Sequence, residues 1–145
     1  MTSLVPSVRT ILAVAALVAG TGLALPSDAE AARTRLQCRS ALSGQDASMT
    51  ARYEVDGNRR KFTVEVEARP GGSFRRGDVL EVEVKNRTVG SMTLRRTVND
   101  LVGDLNFDTT AGPRDQADPF PSGFPAVAAG TVVEAGPFRC ALQRR

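Results

Sequence analysis

Strict alternation of apolar and polar side chains is the feature that most constrains the fold of this chain. Residues 61–68 are KFTVEVEA and residues 79–85 are VLEVEVK, so every second side chain is apolar. Residues 47–55 (ASMTARYEV) and 101–107 (LVGDLNF) repeat the pattern. A period of two places alternate side chains on opposite faces of a strand, whereas an amphipathic helix has a period of 3.6. Since no segment after residue 31 keeps a helical period, the sequence predicts an all-β protein.

Turn residues separate these runs. Residues 56–60 (DGNRR) contain an Asp-Gly pair and predict a hairpin, and a turn is predicted at Asn86-Arg87. Val89 and Met92 are out of phase, and Gly90 between them predicts a β-bulge. Further strands are predicted near residues 36–41, 88–96, 131–134 and 138–142. About seven or eight short strands are typical of an antiparallel two-layer β-sandwich, immunoglobulin-like in architecture, or of a small barrel.

The amino-terminal segment has the three parts of a secretory signal peptide. A polar start with the single basic residue Arg9 precedes an apolar run from Ile11 to Leu25, and Ala29-Glu30-Ala31 supplies small residues for cleavage. The run is shorter than the roughly 20 residues that span a bilayer. The prediction is a signal peptide over residues 1–31 and one β-sandwich domain over 32–145, with an uncleaved anchor as the alternative. The expected location is periplasmic or secreted, without stable membrane insertion after cleavage.

Two cysteines, Cys38 and Cys140, lie near the two ends of the predicted domain. In an exported chain an isolated pair predicts a disulfide. The two residues are 102 positions apart, so the bond would constrain most of the unfolded chain. There is no Cys-x-x-Cys motif, which argues against a catalytic thiol.

The side chains available exclude much of enzyme chemistry. The sequence contains no histidine, which excludes imidazole-based triads and histidine-ligated metal sites. Two carboxylate pairs, Glu65 with Glu67 and Glu81 with Glu83, fall on the polar faces of predicted strands, where solubility alone places them. We therefore expect a protein that is not an enzyme.

A possible calcium site begins at Asp104. With Asn106, Asp108 and Asp115 it resembles the start of an EF-hand calcium loop, in which oxygen ligands alternate along the chain. The resemblance departs at the sixth position, where Thr109 replaces glycine, and at the twelfth, where Asp115 replaces glutamate. The alternative is an ordinary strand face followed by a turn. Apart from calcium at this site, no cofactor is expected.

The long irregular stretch over residues 109–130 contains the segment DPFPSGFP. Phe120, Pro121, Phe124 and Pro125 would form a rigid apolar finger that docks a partner. The alternative is that both rings fold back and cap one end of the sandwich. Long loops in compact domains are usually functional or packed by their own side chains.

The basic residues are mostly interleaved with acidic ones. The net charge is +3 and the isoelectric point about 9.4. Three basic clusters, Arg59-Arg60-Lys61, Arg75-Arg76 and Arg95-Arg96, fall in predicted turns or at a strand end. The three clusters either gather at one end of the sandwich or are scattered turn charges. The basic excess as a whole is either a solvated surface or a patch that faces an envelope polymer or lipid headgroups. Nucleic acid is not an expected partner, because export removes the protein from it and few aromatic residues are present to stack on bases.

The segments RRKFTVEVEA, LEVEVKN, TVGSMTL and VGDLNFDTTAGP, within residues 47–113, are similar to small exported bacterial β-sandwich proteins of uncharacterised function. The resemblance implies a fold and a compartment and transfers no catalytic residue. The expected function is that of a non-enzymatic binding or structural module of the bacterial envelope, acting through loop surfaces on another envelope or extracellular protein or polymer. The alternatives are a calcium-stabilised structural domain and an inhibitor of an extracellular hydrolase.

Overall fold

The computed structural model describes residues 33–44 and 46–145, and the predicted signal peptide over residues 1–31 lies outside the described residues. Within the described part, no helix is long and apolar enough to cross a membrane. This part of the chain forms ten strands: β1 Thr34–Ala41, β2 Ala47–Asp56, β3 Arg59–Ala68, β4 Val79–Val84, β5 Arg87–Thr93, β6 Arg95–Arg96, β7 Leu101–Asp108, β8 Val132–Ala135, β9 Phe138–Ala141 and β10 Gln143–Arg144.

The strands form two antiparallel sheets packed face to face. The larger sheet has the order β10-β1-β2-β3-β7-β6 and the smaller has the order β5-β4-β8-β9. The predicted all-β two-layer sandwich is confirmed, and the sheets do not close into a barrel. The predicted strand count of seven or eight is wrong, because the described residues contain ten strands. Two of these, Arg95–Arg96 and Gln143–Arg144, have only two residues each and are too short to show alternation.

The larger sheet is built on the predicted hairpin. β2 and β3 pair from Ala47 with Ala68 to Asp56 with Arg59, across a two-residue turn. β7 then pairs with β3 along its length, from Lys61 with Asp108 to Ala68 with Leu101. Because the register is even throughout, the apolar set of each strand faces the same side. That side covers the smaller sheet.

The smaller sheet contains the predicted bulge and a shifted turn. Val82 pairs with Gly90 while Glu83 pairs with Thr88, so Val89 is the extra residue. The turn before β5 consists of Lys85 and Asn86, with φ angles of 52° and 58°. It lies one residue earlier than the predicted Asn86-Arg87, because Val84 and Arg87 already pair and a tight hairpin needs two residues with positive φ between them.

The core lies between the two inner faces. The large side chains that are fully buried come from both sheets and include Phe62, Val64, Val66, Val82, Val84, Val133 and Phe138. Gly103 allows β5 and β7 to approach, since a Cβ at that position would lie 2.8 Å from Leu94 Cδ2 and 3.0 Å from Met92 Sδ. Alternation along the strands therefore produced the predicted apolar interior.

A disulfide joins Cys38 and Cys140, as predicted. Cys38 lies in β1 of the larger sheet and Cys140 in β9 of the smaller sheet, with their Cα atoms 5.8 Å apart. The bond therefore crosses between the sheets at one edge of the sandwich. After Leu142 the chain itself crosses, because β9 belongs to the smaller sheet and β10 pairs with β1 of the larger one.

Candidate functional site

The loops gather at two opposite ends of the sandwich. The β2–β3 turn and the loop over residues 109–131 lie at the end where Lys61 pairs with Asp108. We call this the phenylalanine end. At the other end, Ala68 pairs with Leu101, and Leu101 pairs with Arg96. The loop over residues 69–78 and the turn over residues 97–100 lie there, and we call it the arginine end.

Four phenylalanine rings pack together at the phenylalanine end. The ring of Phe124 lies 5.2 Å from that of Phe62 and 5.9 Å from that of Phe107, measured between centroids. Phe120 lies 5.7 Å from Phe107 and 4.8 Å from Phe124. Edge-to-face and tilted pairs at these distances are the preferred aromatic geometry. Two loop rings are thus added to two rings of the core.

The loop that carries these rings is fastened to β7. Asp118 donates its backbone N–H to the carbonyl of Asn106, at 2.9 Å, and accepts from the N–H of Asp108, at 3.0 Å. Phe124 N–H closes a turn on the carbonyl of Pro121, and Gly123 within that turn has a φ of 73°. A positive φ at the third turn position favours glycine. These bonds orient the rings toward the core.

The candidate residues Phe120, Pro121, Phe124 and Pro125 are all partly buried. Both rings pack against the hydrophobic core, as the capping alternative predicts. The guanidinium of Arg60 lies 5.0 Å from the Phe120 ring centroid and covers part of that ring. The segment is therefore a cap on the sandwich rather than a projecting finger, and partner binding through it stays a prediction.

The predicted calcium ligands have partners within the protein. Asp104 forms an ion pair with Arg95, and its Oδ2 accepts a hydrogen bond from Asn106 Nδ2 at 3.1 Å. Asp115 Oδ2 accepts from the backbone N–H of Gly112 at 2.7 Å. In residues 33–44 and 46–145, no group of three or more His, Cys, Asp or Glu side chains is placed to hold a metal ion. The calcium hypothesis would require an ion to displace these partners.

Asp108 is the most constrained of the four. Its side chain is buried, and Arg59 donates to both of its carboxylate oxygens, with Nη2 2.6 Å from Oδ2. The Thr110 amide and hydroxyl each donate to Oδ1 at 2.9 Å. The hydrogen bonds from Arg59, supported by those from Thr110, hold the pKa of the Asp108 carboxyl well below its usual range, although burial opposes them. Asp108 therefore acts as a structural anion at the phenylalanine end.

Three arginines surround one depression at the arginine end. Arg75, Arg76 and Arg96 line a cavity of about 240 Å³. Its remaining lining comes from Pro70, Gly71, Gly72, Phe74 and Leu101, so no carboxylate lines it. Among the described residues, none of the three arginines forms a salt bridge. We call this feature the arginine depression.

The loop that presents two of these arginines is anchored on both sides. Phe74 is buried and its ring stacks on that of Phe138, with centroids 5.7 Å apart. Gly77 donates its N–H to the carbonyl of Leu94 at 2.9 Å, and Leu94 donates to the carbonyl of Asp78 at 2.8 Å. Arg75 N–H donates to Asp78 Oδ2 at 2.7 Å. The backbone that carries Arg75 and Arg76 is thus held in place. The loop therefore loses less conformational entropy when a ligand binds.

The arginine depression adjoins a second depression. This second depression, of about 360 Å³, shares Pro70, Gly72 and Phe74 with it and extends toward Asp46 and Arg69. Arg69 forms an ion pair with Asp46, with Nη1 and Oδ2 3.2 Å apart. Its charge is therefore compensated locally, whereas Arg75, Arg76 and Arg96 form no salt bridge with another described residue.

The sequence could not place the three basic clusters, and the structure separates them. Arg75-Arg76 and Arg96 meet in one depression, whereas Arg59, Arg60 and Lys61 lie at the phenylalanine end. Arg95, the neighbour of Arg96, points toward Asp104 and is paired with it. The only local signal was a pair of arginines at a turn, and it did not reveal that Arg96 lies beside Arg75 and Arg76.

The outer face of the larger sheet carries charges of both signs in rows. Arg35, Glu54, Lys61 and Asp108 are successive cross-strand partners on β1, β2, β3 and β7. Arg52 pairs with Glu65 on the same face, with Nη1 and Oε2 3.0 Å apart. Opposite charges in neighbouring strands stabilise such a face without creating an excess of either sign. Its shallow depressions are lined by both acids and bases and offer no selective anion site.

A depression lined by three arginines and by apolar residues can bind an anion. Arginine donates paired hydrogen bonds to phosphate, sulfate or carboxylate oxygens, and it stays charged at every physiological pH. Phe74 and Leu101, both buried, line the same depression and give it an apolar part. Comparison of the chain with protein-family models, with curated proteins and with solved structures gives no match. The chemistry of the depression therefore carries the functional interpretation.

Proposed function

We propose that the protein is an exported, non-enzymatic module that binds an anionic component of the bacterial envelope through the arginine depression. The observation that carries this proposal is the meeting of Arg75, Arg76 and Arg96 in a cavity without a lining carboxylate. Export is supported by the signal-like segment over residues 1–31 and by the disulfide, which persists in oxidising compartments. The absence of histidine from the sequence argues against imidazole catalysis.

The arginine depression is a better candidate than the cap formed by Phe120 and Phe124. Those two rings pack against Phe62, Phe107 and each other, so little of their surface remains for a partner. The guanidinium groups of the arginine depression have no such internal partners among the described residues. Affinity is reduced when an existing ion pair must be broken before the ligand binds. The three arginines of the depression need no such step, because they form no ion pair with another described residue.

Binding of inorganic polyphosphate to the purified protein tests the proposal. Arg75→Gln, Arg76→Gln and Arg96→Gln together should weaken binding by about tenfold, because three exposed charge pairs at about 0.5 kcal/mol each sum to about 1.5 kcal/mol. The matched control removes three charges elsewhere, with Lys61→Gln, Arg114→Gln and Arg144→Gln, none of which forms a salt bridge with another described residue.

The control separates a specific site from net charge. Fluorescence anisotropy of labelled polyphosphate gives the dissociation constant for each protein at several salt concentrations. The proposal predicts that the control triple variant binds polyphosphate within about twofold of the wild type. Its three removed charges lie away from the depression, and salt screens their effect on the ligand. Equal losses in both triple variants would show that binding follows net charge alone and would overturn the proposal.

A further inference from the structure

Exposed apolar side chains are concentrated at the arginine end. In the part of the chain that the structure describes, two large hydrophobic residues are exposed: Val98, with 91% of its surface accessible, and Val79, with 61%. Val98 lies in the turn between β6 and β7, and Val79 begins β4 directly after the loop over residues 69–78. Single exposed valines are ordinary, but both lie at the end that carries the uncompensated arginines.

Hydrogen bonds between Thr97 and Asp100 close the turn that carries Val98. Thr97 donates its N–H to the carbonyl of Asp100 at 2.8 Å and its hydroxyl to the same carbonyl at 3.0 Å. Asp100 N–H donates back to Thr97 Oγ1 at 3.2 Å. These three bonds close the base of the turn, so Val98 and Asn99 form its tip. The valine is therefore held away from the core.

The tip and the depression are directly connected. Arg96 precedes the turn and Leu101 follows it, and both residues line the depression. An anion held by the guanidinium groups therefore has the apolar tip of Val98 close by. A protein surface that combines basic groups with a protruding apolar residue matches the headgroup region of an anionic bilayer, where lipid phosphates lie above acyl chains.

We propose that the anionic component is the surface of a lipid bilayer. Arg75, Arg76 and Arg96 hold lipid phosphates, and Val98 enters the region between headgroups and acyl chains. This inference rests on the proposed function and specifies its ligand. The contact is peripheral, because one valine and three arginines give reversible attachment and not insertion. A soluble anionic polymer is the other source of phosphate, and the experiment distinguishes the two.

Co-sedimentation with vesicles tests the inference. Vesicles of phosphatidylcholine alone are compared with vesicles that also contain phosphatidylglycerol. The wild-type protein should bind the mixed vesicles and not the neutral ones. Val98→Ser should lower the partition coefficient by about fivefold, because a valine side chain gains free energy on leaving water. Val98→Trp should raise it, since tryptophan favours the membrane interface. Val132→Ser, on the smaller sheet at the phenylalanine end, is the control and should change nothing.

Polyphosphate binding by the same variants separates this inference from the proposed function. The inference predicts that Val98→Ser and Val98→Trp bind polyphosphate as the wild type does, while the arginine triple variant loses both ligands. Polyphosphate binding without binding to mixed vesicles, or vesicle binding that ignores both Val98 substitutions, would overturn the membrane assignment and leave the proposed function standing. No binding of either ligand would overturn both.

Discussion

The Arg59 guanidinium donates hydrogen bonds to both oxygens of the Asp108 carboxylate, joining the start of β3 to the end of β7. Asp108 is only 5% exposed, while Arg59 lies on the surface. The same carboxylate accepts two bonds from Thr110, at the start of the long loop. One buried anion therefore fixes the hairpin, the strand and the loop together at the phenylalanine end.

Because of this arrangement, the free energy of unfolding should decrease as the pH falls. The hydrogen bond from Arg59 lowers the pKa of Asp108 in the folded protein relative to the unfolded chain. The unfolded chain then binds the proton first, so the contribution of Asp108 is complete above the unfolded pKa of about 4 and is lost as the pH falls below it. We expect Asp108→Asn to reduce stability at pH 7 by about 1–2 kcal/mol and to flatten the dependence on pH between about 5 and 3.

Urea unfolding at a series of pH values measures both effects. Asp118→Asn is the matched control, because the side chain of Asp118 is exposed and forms no salt bridge among the described residues. It should leave the stability at pH 7 within about 0.5 kcal/mol. If Asp108→Asn lost no more stability than this control, the hydrogen-bonded carboxylate would not have the role assigned to it.

The disulfide should be a major source of stability. It closes a loop of 102 residues and links the two sheets, so its removal frees the unfolded chain more than it disturbs the folded one. Cys38→Ala combined with Cys140→Ala should lower the free energy of unfolding by about 4 kcal/mol. Unfolding in guanidinium chloride should give similar midpoint concentrations for this variant and for the reduced wild type. An unchanged midpoint on reduction would contradict the account.

The cap at the phenylalanine end should be structural. Phe124→Ala removes a ring in contact with Phe62 and Phe120, and we expect a loss of about 2 kcal/mol, less than for a fully buried ring. The loss from Phe120→Ala together with Phe124→Ala should differ from the sum of the single losses, because the two rings touch. Thermal unfolding provides the measurement. A projecting finger would instead leave the melting temperature of both variants unchanged.

Calcium should not alter stability. The oxygens of Asp104, Asp108 and Asp115 already accept hydrogen bonds from Arg95, Arg59, Thr110 and the amide of Gly112. An ion would have to displace these donors and pay the cost of leaving two guanidinium groups unpaired. We expect identical thermal unfolding curves in excess calcium and in excess chelator. A higher melting temperature in calcium would restore the EF-hand-like interpretation of residues 104–115.

Local sequence patterns predicted the strands and their inward-facing residues, but they did not predict which distant strands pair. Alternation in residues 61–68 fixes which side chains face inward, and the same rule predicted the bulge at Val89 and Gly90. The pairing of β3 with β7 brings together segments about forty residues apart, and no local period encodes it. The turn at Lys85-Asn86 was misplaced by one residue, because turn composition allowed either position.

The candidate site was less predictable than the fold. Arg76 and Arg96 meet because Ala68, Leu101 and Arg96 are neighbours in strand register, which the sequence does not show. The orientation of Phe120 was also undetermined, since an exposed finger and a cap have the same composition. Contact with Phe107 decides it in favour of the cap. A site formed by residues that are far apart in the sequence can be recognised only in the tertiary structure.

The most direct test of the central claim is to map anion binding onto individual residues. Titration of the isotope-labelled protein with polyphosphate, followed by backbone amide chemical shifts, locates the site without any substitution. We predict saturable shifts at Gly71, Gly72, Arg75, Arg76 and Arg96. Shifts that instead centre on Arg59, Arg60 and Lys61, or that spread over all basic residues without saturation, would contradict the assignment of anion binding to the arginine depression.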